Sequence, residues 1–334
     1  MSESTTEQPL LSIAIPTWNR AGLLKEALEC LESQIRDYKD DIELIISDNA
    51  STDETPQVIS DFCEKHPDYN IVTWRQKENT GYFGNFKKVR ELSTGKYLWI
   101  LSDDDHVEKN VISLIINEIK NNSNISVVFL DIWDLNPLMK NKPALKGKYT
   151  WAYLLNTKGY KVTLISAVIF INNKKNDLEV YKKFSGNTFL GFLFLLNAYD
   201  PSKSIIIIKG KCLETGKGEI SFNVFDSFIE DLFSCFMFWD EKEIGEDTKK
   251  IFINSYLKSV VHSHYINNKL KGAFNNNPDE LKKLEERMNV YYKNYSSFWL
   301  YIFPFYYLPN SVIRLWKLYY RVHRYVFVRM LNIR

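Results

Sequence analysis

The sequence predicts an α/β fold with a mostly parallel sheet, followed by a helical C-terminal region. Three observations carry this. Short apolar runs alternate with amphipathic stretches from Leu11 to Leu130, each early run ends in a polar cluster, and the strand pattern is lost from Phe222 onward. Repeated strand–helix units need crossover helices, which cover both faces of a parallel sheet.

The elements follow in order. Leu11–Ile15 is the first strand and Pro16 closes it. Leu23, Leu24, Ala27, Leu28 and Leu31 share one helical face, which predicts a helix over Ala21–Gln34. Ile42–Ile46 is a strand ending at Ser47-Asp48-Asn49, and Thr55–Lys65 is a helix with Pro56 in its first turn and Asp53 or Thr55 near its cap. Strands at Ile71–Trp74, Tyr97–Leu101 and Val127–Leu130 alternate with helices at Phe83–Leu92 and Lys109–Lys120. Beyond Asp131, Lys140–Lys148 reads as a basic loop, Leu164–Ile171 and Ser204–Ile208 as strands, and Gly216-Lys217-Gly218 as a flexible loop. Phe222–Trp239, Lys249–Lys269 and Asp279–Tyr292 read as helices, with a turn at Asn275-Asn276-Asn277-Pro278.

Composition sets the outer bounds. The chain has 334 residues, 43 Lys+Arg against 41 Asp+Glu, and 45% hydrophobic residues. Those values suit a globular protein with an ample core and exclude a disordered, collagenous or multi-span membrane chain. A formal charge of +2 gives no basis for nucleic-acid binding. Cys30, Cys63, Cys212 and Cys235 are scattered without a CxxC pair, so reduced thiols in a cytoplasmic protein are the simplest reading. Met1–Pro9 is polar and acidic and lacks the pattern of a signal peptide. No run approaches the roughly 20 apolar residues of a spanning helix.

Ligands of open parallel sheets bind beyond the carboxyl ends of the strands. Three polar clusters follow strands and fall on that one rim: Thr17–Arg20, Asp48–Ser51 and Ser102–Asp105. Asp103, Asp104 and Asp105 are three adjacent carboxylates. They suit a divalent cation with oxygen ligands, Mg²⁺ or Mn²⁺, and equally a solvated turn before the helix near Lys109. Asp48 sits at a strand tip, where it can meet a base or ribose, whereas an Asx-turn and a helix cap account for Asn49–Asp53. Asn79-Thr80-Gly81-Tyr82-Phe83-Gly84-Asn85 places two glycines at a helix start, where backbone N–H groups favour an anion. His262 and His264 are two apart on a helix and do not share a face, so they read as ordinary helix histidines. His106 either approaches a diphosphate or is a loop residue before a helix.

The run Leu11-Ser12-Ile13-Ala14-Ile15-Pro16-Thr17-Trp18-Asn19-Arg20 resembles the opening of family 2 glycosyltransferases. The likeness continues through Ile45–Asp53, Asn79-Thr80-Gly81, Asn85, Thr94-Gly95-Lys96-Tyr97 and the Asp cluster, in family order. It implies a GT-A fold, a nucleotide-sugar donor and a DXD-type metal site taking Mn²⁺ or Mg²⁺. The subtype is similar to bacterial O-antigen transferases, including those that move dideoxyhexoses. Carried over by position, Pro16, Thr17, Asn19, Arg20, Asp48, Asn79, Gly81, Asn85 and Asp103 bind the donor, and Asp104 and Asp105 hold metal. Asp104 is then catalytic through that metal, and Ser102 stands where the commoner D-S-D-D form has its first Asp.

The family's general base often comes from an acidic pair at a later helix start. The corresponding stretch here, Ser185–Phe192, has no carboxylate. Asp131, Glu214, Glu219, Asp226, Glu230 and Asp231 are the candidates. Glu219, after the Gly-Lys-Gly loop, is taken as the catalytic base, and inversion or retention stays open. Composition sets off a polar tail (1–10) and an aromatic, basic tail (298–334), and the resemblance implies a GT-A domain (11–215) followed by a helical acceptor-side region (216–297). Two rival readings are an inactive GT-A binding or scaffolding module and a sugar nucleotidyltransferase; the latter calls for a Gly-rich phosphate loop where Pro16-Thr17-Trp18-Asn19 stands.

Residues 298–334 hold six Lys and Arg and no Asp or Glu. Arg314, Lys317, Arg321 and Arg324 form a stripe opposite Leu315, Trp316, Tyr319, Val322, Val326, Met330 and Ile333. That pattern suits an interfacial helix on anionic lipid, or a C-terminal helix packed on the domain with its charges in water. The first option places the protein at the inner face of the cytoplasmic membrane, with a lipid-linked or oligosaccharide acceptor. Nothing in the sequence fixes an oligomeric state.

Overall fold

The computed structural model describes residues 8–132, 145–214, 216, 227–272 and 278–319. Among them, nine strands make one mixed sheet. The strands are β1 (Leu11–Thr17), β2 (Ile42–Asp48), β3 (Ile71–Arg75), β4 (Tyr97–Ile100), β5 (His106–Val107), β6 (Ile125–Ile132), β7 (Leu145–Tyr149), β8 (Val168–Ile171) and β9 (Ser204–Glu214). Their order is β3-β2-β1-β4-β8-β6-β9-β5, with β7 paired to β9. β1 runs parallel to both β2 and β4, β2 is parallel to β3, and β6 is parallel to β9. β8 is antiparallel to both β4 and β6, which makes β4 and β6 parallel to each other.

The near-continuous apolar strands are buried on both faces, and their alternation sorts side chains between two cores. Ile13, Ile15, Leu44, Ile46, Trp99 and Leu101 pack against the helices α1 (Ala21–Ile35), α2 (Thr55–Lys65) and α4 (Val111–Asn121). Ala14, Ile45, Leu98 and Ile100 face the other way, against Phe86 and Val89 of α3 (Gly81–Leu92) and the helices that follow the sheet. Those include α5 (Trp151–Lys158), α6 (Asp177–Lys183), α7 (Leu190–Asn197), α8 (Leu232–Glu241), α9 (Glu246–Tyr256), α10 (His262–Leu270), α11 (Pro278–Tyr292), α12 (Ser296–Tyr301) and α13 (Pro304–Tyr307). Buried Phe192, Phe236, Trp239, Phe252, Tyr265 and Tyr292 of these helices join the same cluster as the sheet face, which is where much of the chain's high aromatic content goes. Ring pairs such as Phe192–Phe252, with centroids 5.7 Å apart, line the helix contacts.

Several expectations are adjusted. The basic stretch Lys140–Lys148 is not all loop: its second half enters β7, paired with β9. The strand over Leu164–Ile171 starts only at Val168, because 3₁₀ turns at Gly159–Thr163 and Ile165–Ala167 occupy the preceding residues. β9 runs on to Glu214 rather than stopping at Ile208. None of the helices among the described residues is long and apolar enough to cross a membrane. All four cysteines are free.

Candidate active site

The sheet has one switch point that matters for ligands. The chain winds outward from β1 through β2 to β3, then returns to place β4 on the other side of β1. Beyond the carboxyl ends of β1 and β4 the two connections leave in opposite directions, which opens a crevice. Pro16 helps to open it. The β1–β4 register ends at Ala14 and Ile100, and proline has no N–H with which to extend a ladder.

The Asp cluster flanks this crevice. Thr17 donates its hydroxyl to Asp103 Oδ2 at 2.7 Å, and Arg20 Nη1 donates to Asp103 Oδ1 at 2.8 Å. Asp103 is buried, and burial raises its carboxyl above the ordinary aspartate range although Arg20 and Thr17 pull it back. Asp105 accepts the Gly216 N–H at 2.9 Å and also bonds Ser166; burial again raises it. Between them, Asp104 accepts the Ser102 hydroxyl at 2.5 Å through Oδ1, and its Oδ2 lies 3.6 Å from Arg20 Nη1.

The three carboxylates therefore differ. Asp103 is tied to β1, Asp105 is tied to the end of β9, and Asp104 stands between them with Oδ2 toward Arg20. Ser102 takes up one oxygen of Asp104, so it orients the carboxylate where the commoner motif places another acid. No group of three or more His, Cys, Asp or Glu among the described residues forms a closed metal cage. A Mg²⁺- or Mn²⁺-type ion does not require one, since it binds through one or two carboxylates and completes its shell with water and phosphate. Asp104, with the remaining capacity of Asp105, fits that donor set.

The donor-side residues form a second network. Asp48 is buried and accepts the Ser51 N–H at 2.9 Å through Oδ1, so the turn is made by Asp48 itself. Its Oδ2 is buried, has no hydrogen-bond partner among the described residues, and lies 3.4 Å from Arg75 Nε. Asn19 and Ala50 both have positive φ, 51° and 62°, a region that disfavours any side chain. Their turns are locked together, since Asn19 N–H donates to Ser51 Oγ at 2.8 Å and Thr52 N–H donates to Asn19 Oδ1 at 2.7 Å. Asp53 accepts from the Ala21 and Thr55 N–H groups, both at 3.0 Å, and so serves the starts of α1 and α2 together.

Asn79 and Gly81 lie on the loop that enters α3. Asn79 Oδ1 accepts from Asn49 Nδ2 and from the Gly81 N–H, both at 2.8 Å. Gly81 has φ +70° and open space where a side chain would project. Asn85 is buried, donates to the Thr17 and Ser47 carbonyls, and accepts the Ser47 hydroxyl at 2.6 Å. It braces β1 and β2 from beneath. Trp18 is exposed at the rim of the crevice.

The structure thus brings Pro16, Thr17, Asn19, Arg20, Asp48, Asn79, Gly81, Asn85, Asp103, Asp104 and Asp105 to one rim. Glu219 and Asp226 lie outside the described residues. Asp231 ends the helical turn Ser227–Asp231, and its carboxylate accepts from the Thr188 N–H and hydroxyl at the turn before α7. His106 faces α1, with Nδ1 3.2 Å from Cys30 Sγ and Nε2 3.6 Å from Glu26. Sequence reasoning missed Ser166, Arg75 and the anchoring of Gly216. Only Gly216 carried a signal, as part of a Gly-Lys-Gly loop.

The crevice at the switch point of the sheet thus has a carboxylate cluster at one lip and a strand-tip aspartate at the other. Residues 12–178, half of the chain, match the family described as Glycosyl transferase family 2, and the chain belongs to that family. It is 37% identical over 106 residues to abequosyltransferase RfbV of Salmonella typhimurium, covering 32% of this chain and 31% of that protein. It is 31% identical over 110 residues to the GalNAc(5)-diNAcBac-PP-undecaprenol beta-1,3-glucosyltransferase of Campylobacter jejuni, covering 33% and 34% of the two chains. The matched stretch thus spans about a third of these relatives' length. Among solved structures, residues 1–349 of S. aureus TarS superpose with a TM-score of 0.57 at 17% identity, covering 75% of this chain and 72% of that one. Mannosyltransferase PcManGT from Pyrobaculum calidifontis, in complex with GDP-Man and Mn²⁺, gives a TM-score of 0.52 at 15% identity and covers 77% and 72%. These likenesses show the GT-A fold.

Proposed function

We propose that this protein transfers one sugar from a nucleotide-sugar donor to a hydroxyl of a lipid-linked or oligosaccharide acceptor in bacterial surface polysaccharide synthesis. The observation that carries the proposal is the division of labour in the Asp cluster. Asp103 is tied to Thr17 and Arg20 and Asp105 to Gly216, while Asp104 lies between them with Oδ1 on Ser102 and Oδ2 beside Arg20. Two relatives, an abequosyltransferase and a glucosyltransferase acting on a PP-undecaprenol-linked glycan, support the reaction class and the acceptor.

In this reading the base and ribose of the donor lie over β1, β2 and β3. Asp48 Oδ2, buried, 3.4 Å from Arg75 Nε and without a hydrogen-bond partner among the described residues, is the group that receives an N–H or hydroxyl from them. Asn19, Asn79, Gly81 and Asn85 hold the turns around that contact. Asp104, assisted by Asp105, would hold Mg²⁺ or Mn²⁺, whose chemistry is charge neutralisation of the departing diphosphate. Arg20 is the cation the chain itself supplies to the same charge. Glu219 is assigned as the base that takes the acceptor proton. Its support is the anchoring of Gly216, three positions earlier, on Asp105. The cytoplasmic membrane surface, met through residues 298–334, is the proposed location.

A transfer and hydrolysis assay over a panel of nucleotide sugars with Mn²⁺ tests this reading. Turnover of one donor, lost by at least about a hundredfold in Asp104→Ala, is expected. Absence of turnover with every donor, with equal nucleoside-diphosphate binding by wild type and Asp104→Ala, would overturn it.

A further inference from the structure

We infer that a second site, outside the donor crevice, binds the phosphate or diphosphate head of a membrane lipid. A pocket of about 560 Å³ lies between the end of α5 with its following 3₁₀ turn, the α9–α10 helix and the chain from Tyr301 to Lys317. This is an ordinary size for a small-molecule site. Lys158, Lys161, Lys258 and Lys317 line it, and no Asp or Glu does. Lys158 is already paired with Asp131, but Lys258 and Lys317 add further positive charge to a lining that holds no acid, and an anion would offset it.

A second observation comes from His262, which lines the same pocket. It is buried, its Nδ1 is bonded to the Tyr301 carbonyl, and its Nε2 has no partner among the described residues. The carbonyl is an acceptor, so Nδ1 carries the hydrogen and Nε2 offers a lone pair. A hydroxyl on the phosphate, or on a sugar attached to it, would satisfy that lone pair. Trp316 meets the same ring, with centroids 4.7 Å apart, and so closes one wall of the pocket.

The surroundings choose a lipid over a soluble anion. The residues that build this wall expose large apolar side chains in the same stretch: Leu300 at 67%, Leu315 at 68%, Leu318 at 59% and Tyr319 at 66%. Residues 310–319 are helical, with Ile313 buried, Trp316 and Lys317 turned toward the body, and Lys317 donating to Asn267 at 2.5 Å. Lys317 therefore leaves the solvent stripe read from the sequence and points its charge inward, while apolar groups face out. Cations in a cavity beside an exposed apolar face match a charged head joined to a hydrocarbon chain.

One lysine of the lining is tied to the sheet. Lys158 donates to Asp131 at 3.0 Å, and Asp131 is near the carboxyl end of β6, which is parallel to β4. A head group held here would present its attached sugar on the side of the sheet where the Asp cluster lies. That extension to an acceptor rests on the sugar-transfer reading above; lipid capture itself does not.

Sedimentation of the full chain with phosphatidylcholine vesicles tests the site without donor or turnover. One set carries a polyprenyl diphosphate, a second carries phosphatidylserine at matched surface charge, and a third is neutral. The expected order is diphosphate above phosphatidylserine above neutral. Lys258→Gln combined with Lys317→Gln should weaken diphosphate-vesicle binding about tenfold or more, and the Lys→Arg pair should restore it. Thermal unfolding of both pairs separates lost charge from lost fold. Equal binding to the two charged vesicle types overturns the pocket in favour of general surface attraction. Tight binding of free pyrophosphate with no vesicle binding overturns the lipid assignment, and so does an unaffected Lys→Gln pair. If no donor is ever turned over while this vesicle order holds, the transfer reading fails and this site stands.

Discussion

Thr17, at the end of β1, donates its hydroxyl to Asp103, just beyond β4, at 2.7 Å. The two strands have stopped pairing by this level, so one side-chain bond spans the crevice they open. Thr17→Val keeps the shape and removes the donor. The buried Asp103 oxygen is then left with a missing partner, which costs about 1–3 kcal/mol. Urea unfolding should show that loss, and calorimetric titration with nucleoside diphosphates should show weaker binding. Wild-type values in both experiments would mean the bond is ornamental to site and fold alike.

Asp53 joins the first two helices, and its charge state should be visible in acid. Burial raises its carboxyl, but bonds from the Thr55 hydroxyl and from the Ala21 and Thr55 N–H groups outweigh this and hold it below the ordinary range. A depressed carboxylate contributes stability above the unfolded value near about 4 and loses it as pH falls through the folded value. Asp53→Asn keeps an accepting oxygen and removes only the charge, so it should cost about 0.3–1 kcal/mol at neutral pH. The gap to wild type should close on acidification below the ordinary aspartate range. A gap that stays constant with pH would show that the charge of Asp53 plays no part.

The legibility of this chain followed the range of its interactions. Leu24, Leu28 and Leu31 announce α1 because helical spacing is a local property, and Gly81 marks a turn for the same reason; Pro16, expected to close the first strand, instead lies inside β1, opposite Ser47 of β2. The direction of β8 was not legible, because Val168–Ile171 is an apolar run that fits a parallel or an antiparallel neighbour equally. At the site, the rim followed from strand ends, but the roles within it did not. Asp103, Asp104 and Asp105 are the same residue type in a row, and only the distant partners Arg20, Ser102 and Gly216 make them different. The tail shows the same limit: the stripe left Lys317 facing either anionic lipid or water, whereas its bond to Asn267 draws it toward the pocket.

Arg90 should be the most costly single position outside the site. It is 1% exposed, pairs with Asp177 at 2.9 Å, reaches Asn172 and the Asn173 carbonyl, and lies 4.9 Å from the Phe194 ring centroid. Arg90→Ala leaves a buried carboxylate without its cation, a loss of about 3–5 kcal/mol. Arg90→Met combined with Asp177→Leu removes both charges and should recover much of it, since apolar replacements of a buried pair are often tolerated. Chemical unfolding of wild type, the single and the double variant reads this directly. A double variant no better than Arg90→Ala would show that hydrogen bonding to Asn172 and Asn173, rather than the ion pair, sets the cost.

Gly216→Ala asks whether the contact between the end of β9 and the Asp cluster matters for the site. A Cβ at this position would fall 2.0 Å from the Asp104 carbonyl oxygen and 2.6 Å from the Asp104 Cβ. Most of that obstruction is backbone, so a rotamer change cannot relieve it. Either the chain at Gly216 lifts, breaking the bond from its N–H to Asp105, or the Asp104 segment moves away from Arg20. Both routes displace a carboxylate that the proposed reaction needs in place, and a shift of about 1 Å in such a group can cost a hundredfold in rate. The sheet and the two cores do not depend on this contact, so the unfolding temperature should fall little. Transfer rate and thermal unfolding measured on the same preparation decide the matter. A slow enzyme of near-normal stability is expected, and an alanine variant with full activity would show that the Asp cluster does not need the end of β9 to hold it.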